Sequence, residues 1–263
     1  MPQRRSQHGE LWARLVVQKA LGCAVEVNDD GSAPGMYDLR VGPENRPQIA
    51  IECVGAVDPT FAELWNIGPA QGPWTLALRG DWIVCLSLEA RIRDLKNSLE
   101  TVLQELEARQ IASAHVHGLE SSDDSLSTRM QRLCITDAYC YRSGGSGKVG
   151  LSLPGVGGAV DEQGTAVPDW LSKFLRGRDR ADVLAKLERS RTPQRHAFVI
   201  ATFHGTPWPI ASYLSRGLVH VPPRSPDLPD PLTAAWVVAD VGRDGLYWDG
   251  ARWRIVSTTV ESW

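Results

Sequence analysis

Residues 48–54 read QIAIECV, an apolar run interrupted once, by Glu52. A run that is hydrophobic on both faces has the pattern of a central strand covered on both sides. An ionised carboxylate inside such a strand costs several kcal/mol unless a cation or strong donors offset it. Working upstream, Tyr37 to Val41 and Cys23 to Val27 form two more short strand-like runs. They are separated by the turn formers Asp29-Asp30-Gly31, Pro34-Gly35 and Gly42-Pro43. Residues 7–21 precede them as an amphipathic helix, with Leu11, Trp12, Leu15, Val16 and Ala20 at three-to-four spacing and Gly22 as its stop. The order is a helix followed by an antiparallel meander. Strand alternation sets Asp38 with Arg40 on one face of their run, and Gln48, Ala50, Glu52 and Val54 on one face of the next. The Asp38 and Glu52 carboxylates are thereby expected to meet.

Downstream, the pattern predicts a hairpin through Trp74 to Leu78 and Trp82 to Leu88, turning at Gly80-Asp81, and then a helix over 89–109 with the stripe Ile92, Leu95, Leu99, Val102 and Leu106. The segment GLESSDDSLS (118–127) reads as a loop, and 143–158 as glycine-rich strand and turn material. A helix over 179–191 leads to the apolar run Ala197 to Phe203, and helix then strand recurs from Ile210–Val219 to Ala234–Ala239. The proline-rich 220–231 is expected to run extended, and Tyr247 to Val256 to form a hairpin about Asp249-Gly250. These elements predict a single α/β domain over 1–263, with a mixed central sheet flanked by helices and a C-terminal hairpin. Its core covers about 7–112 and 179–256, and a Gly-rich insertion covers about 113–178.

With 263 residues, 43% of them hydrophobic, the chain can bury a sizeable core. It has no apolar run of membrane-spanning length, and its basic N-terminus leads into an amphipathic stretch rather than a secretory core, so no membrane partner and a cytoplasmic location are expected. The five cysteines include no C-x-x-C pair, which favours free thiols over a disulfide framework or a zinc cluster. A net charge of -3 excludes a global basic field, although Arg4, Arg5, His8, Arg14 and Lys19 crowd the first segment and leave room for a local nucleic-acid patch.

The pair Asp38 and Glu52, with Glu10 one helix upstream, supplies hard oxygen ligands in small number. Such ligands suit Mg²⁺ or Mn²⁺, which keep several waters and bridge to phosphate. In Glu10, Pro34-Gly35-Met36-Tyr37-Asp38 and Ile51-Glu52-Cys53-Val54 the sequence resembles the PD-(D/E)xK, or restriction-endonuclease-like, nuclease superfamily. The stretch KLERSRTPQRHAFVIATF (186–203) and the tryptophan-bearing C-terminus are similar to an actinobacterial branch of it. The resemblance implies a restriction-endonuclease-like mixed sheet, which the helix and strand over 179–203 complete. It implies metal binding by Glu10, Asp38 and Glu52, and metal-dependent hydrolysis of DNA, with a homodimer as a further analogy. It also implies a lysine two residues after the Glu, and that position is Val54. Arg40 is the nearest substitute in sequence, though a guanidinium stays protonated and makes a poor general base; Lys186 on the later helix is the second choice. Two functions follow: a nuclease with a degenerate site using Asp38, Glu52 and Arg40, or a catalytically inactive pseudonuclease that binds nucleic acid or protein.

Other readings stand beside these. Asp38 also suits a turn cap or a pair with Arg40, and a first-turn glutamate such as Glu10 is favoured by the helix dipole whatever its function. His115 and His117 form an H-x-H pair with no further ligand at metal-site spacing. Lys148 is followed by Val149, and Arg142 stands where a phosphate loop needs its first glycine. No dinucleotide fingerprint and no G-x-S-x-G elbow occur.

Overall fold

The computed structural model describes residues 3–116, 124–154 and 157–259. In chain order its first elements are α1 (Gln3–Leu21), β1 (Val25–Val27), β2 (Leu39–Val41), β3 (Ile49–Ala56), α2 (Pro59–Ile67), β4 (Trp74–Thr75), β5 (Asp81–Leu86) and α3 (Ile92–Ala108). There follow β6 (Ser113–His115), α4 (Asp124–Arg132), β7 (Ile135–Arg142), β8 (Lys148–Ser152), α5 (Val167–Leu175) and α6 (Ala181–Ser190). The last are β9 (Gln194–Ala201), α7 (Trp208–Ser215), β10 (Ala234–Ala239), β11 (Asp244–Trp248) and β12 (Trp253–Ser257). The protein is mixed α/β, with two mixed sheets in two units: Met1–Val57 with Gly157–Trp263, and Asp58–Val156.

In the first unit the sheet order is β1-β2-β3-β9-β10-β11-β12. The meander β1-β2-β3 is antiparallel, β3 runs parallel to β9 and β9 to β10, and β10-β11-β12 closes as a second antiparallel meander. Parallel neighbours need a crossover, and helices supply it on one face. Ala50, Ala197, Val199 and Val237 turn to that face, against Leu171 of α5, Leu187 of α6 and Leu214 of α7. The alternate residues Leu39, Ile51, Phe198 and Trp236 turn to the other, against Ala13, Val16 and Val17 of α1. The central strand β3 is therefore apolar on both sides, as its sequence requires.

The second unit has sheet order β4-β8-β5-β7-β6, with its own core. The stripe Ile92, Leu95, Leu99, Val102 and Leu106 of α3 packs on Trp82, Val84, Leu86, Ala138 and Val149. The hairpin expected between 74–78 and 82–88 does not form: β4 pairs with β8, and β5 with β7 and β8. The amides of Arg79 and Gly80, which a tight turn would use, instead donate to the Glu107 carboxylate at 2.9 and 2.8 Å. Leu76 N–H meanwhile donates to Gly147 at 2.9 Å.

The division differs from the sequence expectation of an insertion at about 113–178. Residues 58–112 belong to the second unit, and 157–178 to the first. The reason is packing: α3 buries its stripe on the sheet of β5, whereas Val167, Leu171 and Leu175 bury theirs beside β3 and β9. Because a unit with its own core can fold alone, Asp58–Val156 expressed separately should unfold cooperatively in urea, followed by circular dichroism. In that fragment Leu99→Ala, at a fully buried position, should cost about 2–5 kcal/mol. A gradual, non-cooperative melt of the fragment would contradict this. Among the described residues, no helix is long and apolar enough to cross a membrane.

Candidate metal and phosphate site

Asp38 lies immediately before β2 and Glu52 in the middle of β3. The antiparallel register Leu39↔Ile51 and Arg40↔Ala50, carried one step further, sets the two acids opposite each other. Both are nearly closed to solvent, at 7% and 4% exposure. Asp38 Oδ2 accepts the backbone N–H of Cys53 at 2.6 Å, which holds its carboxylate against β3. Glu52 Oε1 accepts from Lys186 Nζ at 2.7 Å, while Oε2 is buried with no hydrogen-bond partner among the described residues. Lys186 reaches in from α6, one turn beyond Asp182, whose carboxylate is 3.8 Å from the same ammonium. Packing explains the reach. Val183 and Leu187 anchor α6 on the apolar face of the sheet, so Lys186 lies along β3 with its stem partly covered.

Burial pushes the Glu52 carboxyl up to about 8, with Asp38 adding to the rise and Lys186 opposing it. Burial also raises Asp38, against the Cys53 amide and Lys186. Glu10, half-buried on α1, is raised by burial and then by Asp38 and Asp29, with Lys186 opposing. Burial works against the charge of Lys186, yet its hydrogen bond to Glu52 and the attraction of Glu52 and Asp38 hold its pKa above the ordinary lysine value. The three carboxyls are raised first by burial, with their mutual repulsion adding for Glu10 and Glu52 and Lys186 opposing, so the cluster holds protons that isolated acids would release.

The sequence-expected residues do not all assemble. Asp38 and Glu52 do, and Glu10 shares their electrostatic field. Arg40 does not: its guanidinium pairs with Glu26 Oε2 at 2.7 Å, and Glu44 lies 3.8 Å away. The β1–β2 register, which sets Arg40 opposite Glu26, is the reason. Val54 packs among the apolar side chains under the helices, and the cation at Glu52 comes from Lys186 instead. Sequence reasoning ranked Lys186 behind Arg40 because 134 residues separate it from Glu52; its one sequence signal was its position on a helix leading into an apolar strand. Among the described residues no three His, Cys, Asp or Glu side chains gather as a ready-made metal cage.

The other candidates resolve into structure. His115 Nδ1 lies 2.5 Å from Asp137 Oδ1 and its ring meets Tyr139 edge-on; His117 lies outside the described residues. All five cysteines are free and partly buried. The Cys53 thiol is pushed well above its ordinary value, first by burial and then by the charges of Asp38, Glu52 and Glu10. Compared with known proteins, the chain matches no family model, and no match is found among curated sequences or among solved structures.

Proposed function

We propose that this protein is a metal-dependent phosphodiesterase acting on DNA, with Asp38 and Glu52 as its acidic pair and Lys186 in the role that the residue at Val54 cannot fill. The observation that carries the reading is the buried Asp38–Glu52 pair, with Lys186 Nζ 2.7 Å from one Glu52 oxygen and the other oxygen without a partner among the described residues. A buried oxygen without a donor costs on the order of 1–3 kcal/mol, more when charged. A divalent cation offsets that cost, and a lysine alone leaves it standing.

Mg²⁺ or Mn²⁺ would be held by Asp38 and Glu52, with Glu10 adding only its charge through Asp38; two carboxylates suffice because Mg²⁺ keeps waters and takes substrate phosphate oxygens. When bound, the ion supplies Lewis-acid stabilisation of the phosphoryl group and a more acidic water. The chain's own residues do the rest. Asp38 is oriented by the Cys53 amide, and Lys186 is the donor that can orient a nucleophilic water or stabilise the developing charge at the phosphate. Arg40, paired with Glu26, is set aside. Support for a restriction-endonuclease-like fold comes from the order of α1, the antiparallel β1-β2-β3, α6 and the parallel β9, with acids at the second and third strands. The rival, an inactive scaffold, is favoured by the Lys186–Glu52 ion pair that already answers part of the charge.

Calorimetric titration of Mn²⁺ into the wild type and Glu52→Ala separates the two. Binding between micromolar and low millimolar, lost in the variant, is the expected result, followed by metal-dependent nicking of supercoiled plasmid. Absence of binding in both proteins refutes the enzyme reading.

A further inference from the structure

The helix that delivers Lys186 belongs to the most basic stretch of the chain. From Lys173 to Arg195 there are eight Lys and Arg against three Asp and Glu, in a protein whose net charge is -3. Three of these cations follow the acidic site in order. The Arg180 guanidinium lies 4.5 Å over the Phe174 ring and 3.5 Å from the carbonyl of Gly55, late in β3. Lys186 meets Glu52, in the middle of that strand. Arg189 packs against Gly35, three residues before Asp38, so closely that a Cβ built there would stand 2.8 Å from its terminal nitrogen.

Pairing separates them further. Arg180 is 3.0 Å from Asp179, and Lys186 holds Glu52 and Asp182. Arg189 and Arg191 are exposed, and among the described residues neither has a carboxylate within ion-pair distance. Lys186 and Arg189 are three residues apart, about 4.5 Å along the helix, comparable to the roughly 3.4 Å axial spacing of phosphates in one strand. An open cationic end beside a carboxylate pair suits a polyanion whose charges repeat at short intervals.

We infer that Arg189 and Arg191, at the C-terminal end of α6, grip the sugar–phosphate backbone of a nucleic acid next to the phosphate presented to Asp38 and Glu52. The inference rests on the phosphodiesterase reading for its substrate class, but not on cleavage. The two arginines act as backbone contacts and carry no base specificity.

The test is fluorescence anisotropy in EDTA, with a labelled duplex of about 20 base pairs and the corresponding single strand. Arg189→Gln with Arg191→Gln should weaken binding about tenfold at roughly 50 mM salt. The slope of log K against log salt should fall by about 1.4–1.8, at 0.7–0.9 per lost phosphate contact. Arg189→Lys with Arg191→Lys should retain binding within about threefold, showing that the loss is of charge and not of fold. Arg252→Gln with Arg254→Gln, which removes equal charge on and beside β12, should have little effect. Failure of the wild type to bind, equal loss in both glutamine pairs, or no loss in the first overturns the inference. Binding that depends on Arg189 and Arg191, in a protein that never nicks plasmid with Mn²⁺, defeats the phosphodiesterase reading and leaves this surface standing. Plasmid nicking indifferent to the glutamine pair does the reverse.

Discussion

Lys186→Met lowers the unfolding free energy by about 3 kcal/mol near pH 9, because it strands Glu52 as an uncompensated buried acid. Near pH 6 the loss is about 1 kcal/mol, since the Glu52 carboxyl, with a folded-state value of about 8, then holds its own proton and only a hydrogen bond is lost. The sign follows from linkage. A carboxyl raised from its ordinary 4.5 to about 8 binds a proton in the folded chain that the unfolded chain has released. Stability from this group is therefore full below the unfolded value and is lost as pH rises through the folded one. Removing the ammonium raises the folded value further and extends the decline. Urea unfolding at the two pH values measures it, and adding Glu52→Gln to Lys186→Met should recover most of the loss. Equal losses at both pH values, or a double variant no better than the single one, would show that Lys186 contributes packing alone.

Trp236→Ala should cost about 3–5 kcal/mol, in the range for a large aromatic removed from a packed core. Trp236 has no exposed surface, and its ring stacks on Tyr247 at 3.8 Å between centroids and on Phe198 at 6.1 Å. Its indole N–H donates to His196 Nδ1 at 3.3 Å, while His196 Nε2 faces Gln194 Oε1 at 3.2 Å. Burial drops the His196 pKa to about 4, so the ring is neutral and each nitrogen has one defined role. The substitution opens a cavity and orphans His196 Nδ1 together. Trp236→Phe keeps most of the ring and should cost about half as much, chiefly for the lost donor. Chemical denaturation monitored by far-ultraviolet circular dichroism checks both; a cost below about 1 kcal/mol for the alanine variant would mean that the site collapses around it.

Neither Lys186 nor His196 was fully legible in the chain. The apolar run around Glu52 named both β3 and its misfit acid, and the turn formers before it separated β1, β2 and β3, because strand alternation and turn chemistry are local. The helix periodicity of α1 and α3 was legible for the same reason. The β4–β5 hairpin was misread because its turn amides are held by Glu107, on a helix more than twenty residues away. The partner of Arg40 was not legible because nearness in sequence to Asp38 said nothing of Glu26, its cross-strand neighbour.

What the sequence by itself determined is the first helix, the antiparallel meander behind it, the stripe of α3 and the acid that does not belong in its strand, since these depend on periods of two and 3.6 residues and on the cost of burying charge. The tertiary structure alone decided which cation answers that acid, and that α3 serves a second core rather than the first. Both are matters of register and crossover, where residues far apart in the chain compete for the same surface and the best-packed arrangement, not the nearest neighbour, prevails.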